Sequence, residues 1–379
     1  MDEDRHSTDP WFSYGSRTPP EMLLRSPTAN ETWTLFYKDS IEPVLTAHLD
    51  TVLESYFLTL AIITLRKDAK YLSDYDIPCI VILYNPDHDL QSIETQVIEE
   101  LITSNDYRFM CIIAEGRVEY SNSSNSTTSR QSYMKEELEA LKQELAVWEK
   151  LKTDDEAKLV DNLRLGETLA NGQWEIVTYG ERACMADYQF FSIDEGRGPS
   201  IKRDYAYPDE GILGSVTWGF SEKTGPLELD LLVRKDGKQT GLTFGFIGGV
   251  YGKWRPGNLE DKDFGKMTCS EYWVLEEKGS RDQPFARHGD SGAIVIDKDG
   301  VVRGVVFADI PIKKLRVIVD PHGRIPDIAK IAEKRDENGE ISVGDITSQV
   351  FEGRSFALVQ DIEMILKLSA IGGEVMFGW

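Results

Sequence analysis

The sequence predicts an α+β chain: a small α/β layer, then a glycine-punctuated β-rich region, closed by a helix. Three observations carry this expectation. Two apolar runs, "FLTLAIITL" (57–65) and "IPCIVILY" (77–84), are followed by an amphipathic segment, "LQSIETQVIEELI" (90–102), and a third run, "RFMCIIAEGRVEY" (108–120). Runs that are apolar on both faces suit strands buried within a layer. From about residue 165 the pattern changes to short β-type stretches spaced by glycine, as in "WEIVTYG", "GSVTWGF" and "SEYWVLEE". The last segment, "ALVQDIEMILKLSAIGG" (357–373), reads as a closing helix.

The elements follow in order. Residues 1–30 are acidic and carry prolines with little periodic hydrophobicity, so they read as a disordered tail. Residues 31–120 form the α/β domain. It opens with a helix over 39–55 that places Ile41, Val44, Leu45, His48, Leu49, Val52 and Leu53 on one face. The polar, low-complexity stretch 121–132 reads as a linker, and 133–160 as a helical connector built on "YMKEELEALKQELAVWEKL". Residues 161–379 form the β-rich domain, in which Asp236-Gly237 and Asp299-Gly300 sit at turn positions. Strands of this length and spacing describe a barrel or a sandwich.

Composition narrows the function classes. A net charge of −23 repels polyanions over most of the surface, so no nucleic-acid partner is expected. The basic cluster Lys313, Lys314 and Arg316 reads as a solvated strand edge. No secretory leader opens the sequence, and its most apolar run is far shorter than the ~20 residues a bilayer helix needs, so no membrane partner is expected either. Cys79, Cys111, Cys184 and Cys269 lack metal or redox spacing and read as reduced core residues of an intracellular, cytoplasmic protein. With no glycine-rich phosphate loop and no dinucleotide motif, no cofactor is expected.

The chemistry concentrates in "ARHGDSGAIVIDKDGVVRGVV" (286–306). Gly-Asp-Ser-Gly arises by chance in a chain of this length with a probability on the order of 1%. Glycines on both sides of Asp290-Ser291 permit a tight turn, because glycine reaches φ > 0 without steric cost. Acyl transfer needs a serine on such a turn, with backbone N–H groups aimed at the developing oxyanion.

This stretch resembles the nucleophile strand and hairpin of chymotrypsin/trypsin-like serine peptidases. "KQTGLTFGFIGG" (238–249) resembles the Thr-Gly-Leu-Thr-x-Gly strand of their intracellular bacterial and fungal members, and "RACMADYQFFSID" (182–194) their aspartate-bearing strand. The closing helix matches as well. The resemblance implies a chymotrypsin-like double β-barrel acting on a peptide or protein. It assigns Ser291 as nucleophile, Asp187 as orienting acid and the N–H groups of Gly289 and Ser291 as the oxyanion hole. It also gives Phe285, six residues before the serine, a part in setting a small or apolar substrate pocket.

The departure from the pattern is the base. The window where the family places its histidine, roughly 120–165, holds none, so the first barrel is expected to be incomplete. His6 lies in the tail, His48 on a helix face as a core residue, and His322 in a turn after the serine. His288 is too close in sequence to reach back easily. His88, in "YNPDHDL", is the substitute base the chain offers, although a helix N-terminal turn explains it equally well. Removing the histidine from a serine triad costs about 10⁶ in kcat. The oxyanion hole and binding retain roughly 10³–10⁴ over water. The expectation is therefore an impaired serine endopeptidase. The alternatives are a pseudoprotease that binds peptides by β-augmentation, or a chain from which the histidine hairpin has been lost. No Arg precedes an Ile-Val-Gly-Gly-like start, so activation by a new N-terminus is not expected.

Overall fold

A computed structural model describes residues 21–66, 75–85, 93, 95–104, 107–116, 168–191, 223–259, 262–264, 267–276, 284–322 and 354–369. These residues are mostly β: one large mixed sheet, two small two-stranded sheets and a few helices, one of them C-terminal. The expected linker, the helical connector and "GSVTWGF" lie outside the described residues.

The N-terminal layer is built as its apolar runs require. Strands β2 (Tyr56–Arg66), β3 (Tyr75–Tyr84) and β4 (Met110–Gly116) are side by side. β2 and β3 are antiparallel, while β3 and β4 are parallel and joined through helix α3 (Thr95–Thr103). A parallel pair needs such a crossover. Helix α1 (Thr32–Phe36) runs through a π-helical turn (Tyr37–Ile41) into α2 (Glu42–Val52), which has Pro43 in its first turn. Proline is tolerated there because the N–H it lacks would be unpaired anyway. Ile41, Leu45 and Leu49 face the core, but Val44, expected beside them, is 46% exposed. The buried stripe follows a single i, i+4 row, narrower than the sequence pattern suggested.

Residues 21–30, part of the segment expected to be tail, include a paired strand. Strand β1 (Glu21–Arg25) pairs with β2. Beyond it, Gly249 N–H donates to the Pro27 carbonyl at 3.0 Å and Ala29 N–H to the Asp230 carboxylate at 2.8 Å. These main-chain groups find protein partners, which the composition of the segment could not reveal.

The β-rich region follows. Strands β5 (Thr168–Tyr179) and β6 (Arg182–Phe191) form a separate hairpin. Strands β7 (Leu232–Gly237), β8 (Gly241–Ile247), β12 (Cys269–Glu276), β13 (Ile294–Asp297), β14 (Val302–Val319) and β15 (Ser355–Asp361) pair in a closed cycle. Its order is β7–β8–β12–β15–β14–β13 and back to β7. Each strand contributes to one enclosed apolar cluster: Val233, Ile247, Val274, Val295, Val306 and Val359 among its members. Short strands β9 (Gly252–Arg255), β10 (Asn258–Leu259) and β11 (Lys262–Asp263) lie between β8 and β12.

The two regions share strands. The first half of β14 (304–311) pairs with β15 and the second (312–319) with β4, each with register shifts inside it; β9 bridges β12 to β2. One continuous sheet therefore crosses the boundary expected between 31–120 and 161–379. The closing segment also differs from expectation. Residues 355–361 are a strand, buried along its length between β12 and β14, and helix α4 (Ile362–Ser369) begins only afterwards. All four cysteines are free thiols in the core.

Candidate active site around Ser291

The tetrapeptide Gly289–Gly292 forms two consecutive turns that share Asp290. Asp290 N–H closes the first onto the Arg287 carbonyl at 2.9 Å, and Ala293 N–H closes the second onto the Asp290 carbonyl at 3.0 Å. The third position of each is a glycine with positive φ, Gly289 at 98° and Gly292 at 88°. A β-turn of type II requires positive φ at this position, and glycine supplies it without strain. Both glycines flanking Asp290-Ser291 thus serve as the sequence suggested.

The chain then enters β13, with Gly292 N–H donating to Val306 O at 2.8 Å and Val306 N–H to Ala293 O at 2.9 Å. Half-buried Ser291 donates its hydroxyl to the Phe307 carbonyl at 2.8 Å, where β14 bulges. From Arg287 to Ala293, the backbone N–H groups of Arg287, Asp290, Gly292 and Ala293 all donate to described residues. Those of His288, Gly289 and Ser291 do not. Among the described residues, the Gly289 and Ser291 N–H groups, the pair expected to receive an oxyanion, therefore have no acceptor.

Asp290 holds the turns from inside. Its carboxylate accepts from Gln239 N–H at 2.7 Å, Thr240 Oγ1 at 2.7 Å, Arg287 N–H at 3.0 Å and Lys235 Nζ at 3.2 Å, with a longer contact to Thr240 N–H. Burial alone would raise this carboxyl, but the donors from Thr240, Gln239, Lys235 and Arg287 hold it below the ordinary carboxylate range. Burial pulls the Lys235 ammonium down, against the opposing attraction of Asp290. Gly237 is a glycine because the pair leaves no room: a Cβ there would lie 2.3 Å from Asp290 Oδ1 and 2.6 Å from Lys235 Nζ.

The two sequence motifs meet here. Thr240 and Thr243 belong to "TGLTFG" on and before β8; Thr240 bonds Asp290, and Thr243 Oγ1 donates to the Phe285 carbonyl at 2.7 Å. Phe285 itself is fully buried inside the β-cycle core, with Lys235 Nζ 5.8 Å from its ring centroid.

Asp187 stands half-buried on β6, whose only backbone-paired partner among the described strands is β5. It makes interactions of its own there. The strand is docked through its neighbours. Met185 N–H donates to Glu271 Oε1 at 2.5 Å, and Gln360 Nε2 donates to Met185 O at 2.9 Å. Arg182 stacks on Tyr251 and Tyr272, with its guanidinium carbon 4.2 and 4.6 Å from their ring centroids. Burial pushes the Glu271 carboxyl up to about 8, only partly countered by Met185 N–H and Arg182.

His88 and His6 lie outside the described residues. His48 sits on α2 with Nε2 buried and unpaired among the described residues, short of the satisfied core histidine expected. His288 and His322 are exposed. Among the described residues, Ser291 Oγ bonds a main-chain carbonyl and no imidazole.

Sequence reasoning missed Lys235, Gln239 and Thr240 as partners of Asp290. The available signal was strand alternation: if Val233 points inward, so does Lys235, and an inward lysine requires a carboxylate. Among the described residues no cluster of three or more His, Cys, Asp or Glu could hold a metal ion, and no helix is long and apolar enough to cross a membrane. No protein-family model matches the sequence, and no curated protein matches it.

Proposed function

We propose that this chain is a trypsin-like serine peptidase domain with impaired turnover. The observation that carries the reading is the Ser291 turn, with its two positive-φ glycines and the Gly289 and Ser291 N–H groups that have no acceptor among the described residues. The six-strand pairing cycle around one apolar core further supports it, read as the second barrel of the double-barrel fold. In the proposed chemistry Ser291 Oγ attacks a peptide carbonyl carbon. Its proton passes to a base, the C–N bond breaks, and the protonated amine leaves. The N–H groups of Gly289 and Ser291 stabilise the tetrahedral oxyanion. His88 is assigned as base, Asp187 as orienting acid, and Phe285 as the residue that keeps the pocket small or apolar. Impairment is inferred because the window where the family places its histidine, roughly 120–165, holds none, and the Ser291 hydroxyl's bond to the Phe307 carbonyl supports it.

That same hydroxyl geometry favours a second reading, a pseudoprotease that binds peptide segments without cleaving them. Treatment with a fluorophosphonate separates the two. The first predicts slow, stoichiometric phosphonylation with loss of fluoride, abolished by Ser291→Ala and slowed further by His88→Ala. Labelling no greater than that of the Ser291→Ala protein would leave the binding module.

A further inference from the structure

Lys235 occupies a strand position that calls for an apolar side chain. Its ammonium is fully buried, as is the Asp290 carboxylate it meets. Its donors are directed at Asp290 Oδ2 at 3.2 Å, the Gly241 carbonyl at 3.3 Å and Thr240 Oγ1. A buried ion pair is weak evidence for stability, since apolar residues of similar volume often pack as well or better. Its value here is positional. A charged carboxylate at 290 draws in the N–H groups of Gln239 and Arg287, and so ties the start of the first turn, and the residue the two turns share, to the β7–β8 connection. Without a positive partner that carboxylate would have to leave the interior or take up a proton.

We propose that Lys235 is a positioning residue for Ser291. Its ammonium keeps Asp290 inside, and Asp290 sets the two turns in the arrangement that leaves the Gly289 and Ser291 N–H groups open. This rests on the reading of Ser291 as a nucleophile. Because the counter-charge is a side chain of β7, the arrangement is assembled by folding itself and needs no cleavage event or bound cation.

The test uses the full chain, its Lys235→Met variant and the double variant Lys235→Met with Asp290→Asn. Two readouts are taken below each variant's unfolding temperature: the rate of fluorophosphonate labelling at Ser291, and the amide resonances of Gly289 and Gly292. Lys235→Met is expected to slow labelling at least tenfold and to displace both glycine resonances. The double variant, which keeps a hydrogen-bonding side chain at 290 without an unpaired charge, should return both resonances and most of the labelling. Native labelling and native resonances in folded Lys235→Met would overturn the proposal. If that variant does not fold, a folded double variant with displaced resonances overturns it equally. Absence of labelling in the native chain would instead refute the nucleophile reading, and the glycine resonances would still decide whether Lys235 sets the turn.

Discussion

The Ser291 turn and the β5–β6 hairpin each depend on a buried carboxyl group, and the two groups are handled in opposite ways. Asp290 is met by an ammonium and several N–H or O–H donors, and its pKa lies below the ordinary range. Glu271, which receives Met185 N–H from the hairpin, has one such donor among the described residues and only the weaker pull of Arg182, and it rises to about 8. Burial acts on both; the number of donors decides the outcome. The turn is therefore fixed with its carboxylate charged, whereas the hairpin that carries Asp187 is docked on a carboxyl that is substantially protonated at neutral pH.

The largest effect should come from breaking the turn's pair. Asp290→Ala leaves Lys235 as an uncompensated buried charge, and the unfolding free energy is expected to fall by about 3–5 kcal/mol in denaturant titration. A loss below 1 kcal/mol would mean that the ammonium reaches water. Next is a pH effect of opposite sign in the two regions. Glu271 binds its proton more tightly folded than unfolded. Its contribution is full below the ordinary glutamate pKa and is lost as pH rises through about 8. Between those limits the native chain should lose stability relative to Glu271→Gln by up to about 1.4 kcal/mol per pH unit. Asp290, with its lowered pKa, contributes above the unfolded aspartate value and loses that contribution as pH falls through its folded value. Parallel pH profiles for the native chain and Glu271→Gln would show that the hairpin does not depend on this proton.

Smaller effects sharpen the same contrast. Gly237→Ala inserts a methyl group against the Asp290–Lys235 pair and should cost about 1–3 kcal/mol, as overpacking does. An unchanged unfolding midpoint would show that the pair has space to shift. Ser291→Ala removes only the hydroxyl's bond to Phe307 and should cost about 0.5–1.5 kcal/mol. A far larger loss would make Ser291 a structural residue first.

Much of this organisation was legible in the sequence, for physical reasons that differ by element. β2, β3 and β4 could be read because strands buried on both faces are apolar throughout. β15 could not, because "ALVQDIEMILKL" satisfies a helical period as well as a strand, and only pairing with β12 and β14 decides its first half. The serine turn was readable because positive φ leaves glycine as its trace. The counter-charge was not, because Lys235 lies 55 residues from Asp290 and nothing local links them. Asp187 was assigned by resemblance alone, and among the described residues β6 makes no backbone pairing with the strands around Ser291.

The proposed chemistry needs the N–H groups of Gly289 and Ser291, which have no acceptor among the described residues, to act together on an oxyanion. An aryl boronic acid tests this directly, since addition of Ser291 Oγ to boron forms a tetrahedral anion without a leaving group. The account predicts a tetrahedral boron signal that is absent in Ser291→Ala, accompanied by downfield shifts of the Gly289 and Ser291 amide protons. A native chain that forms no such adduct, or forms one with both amide protons unmoved, would contradict it.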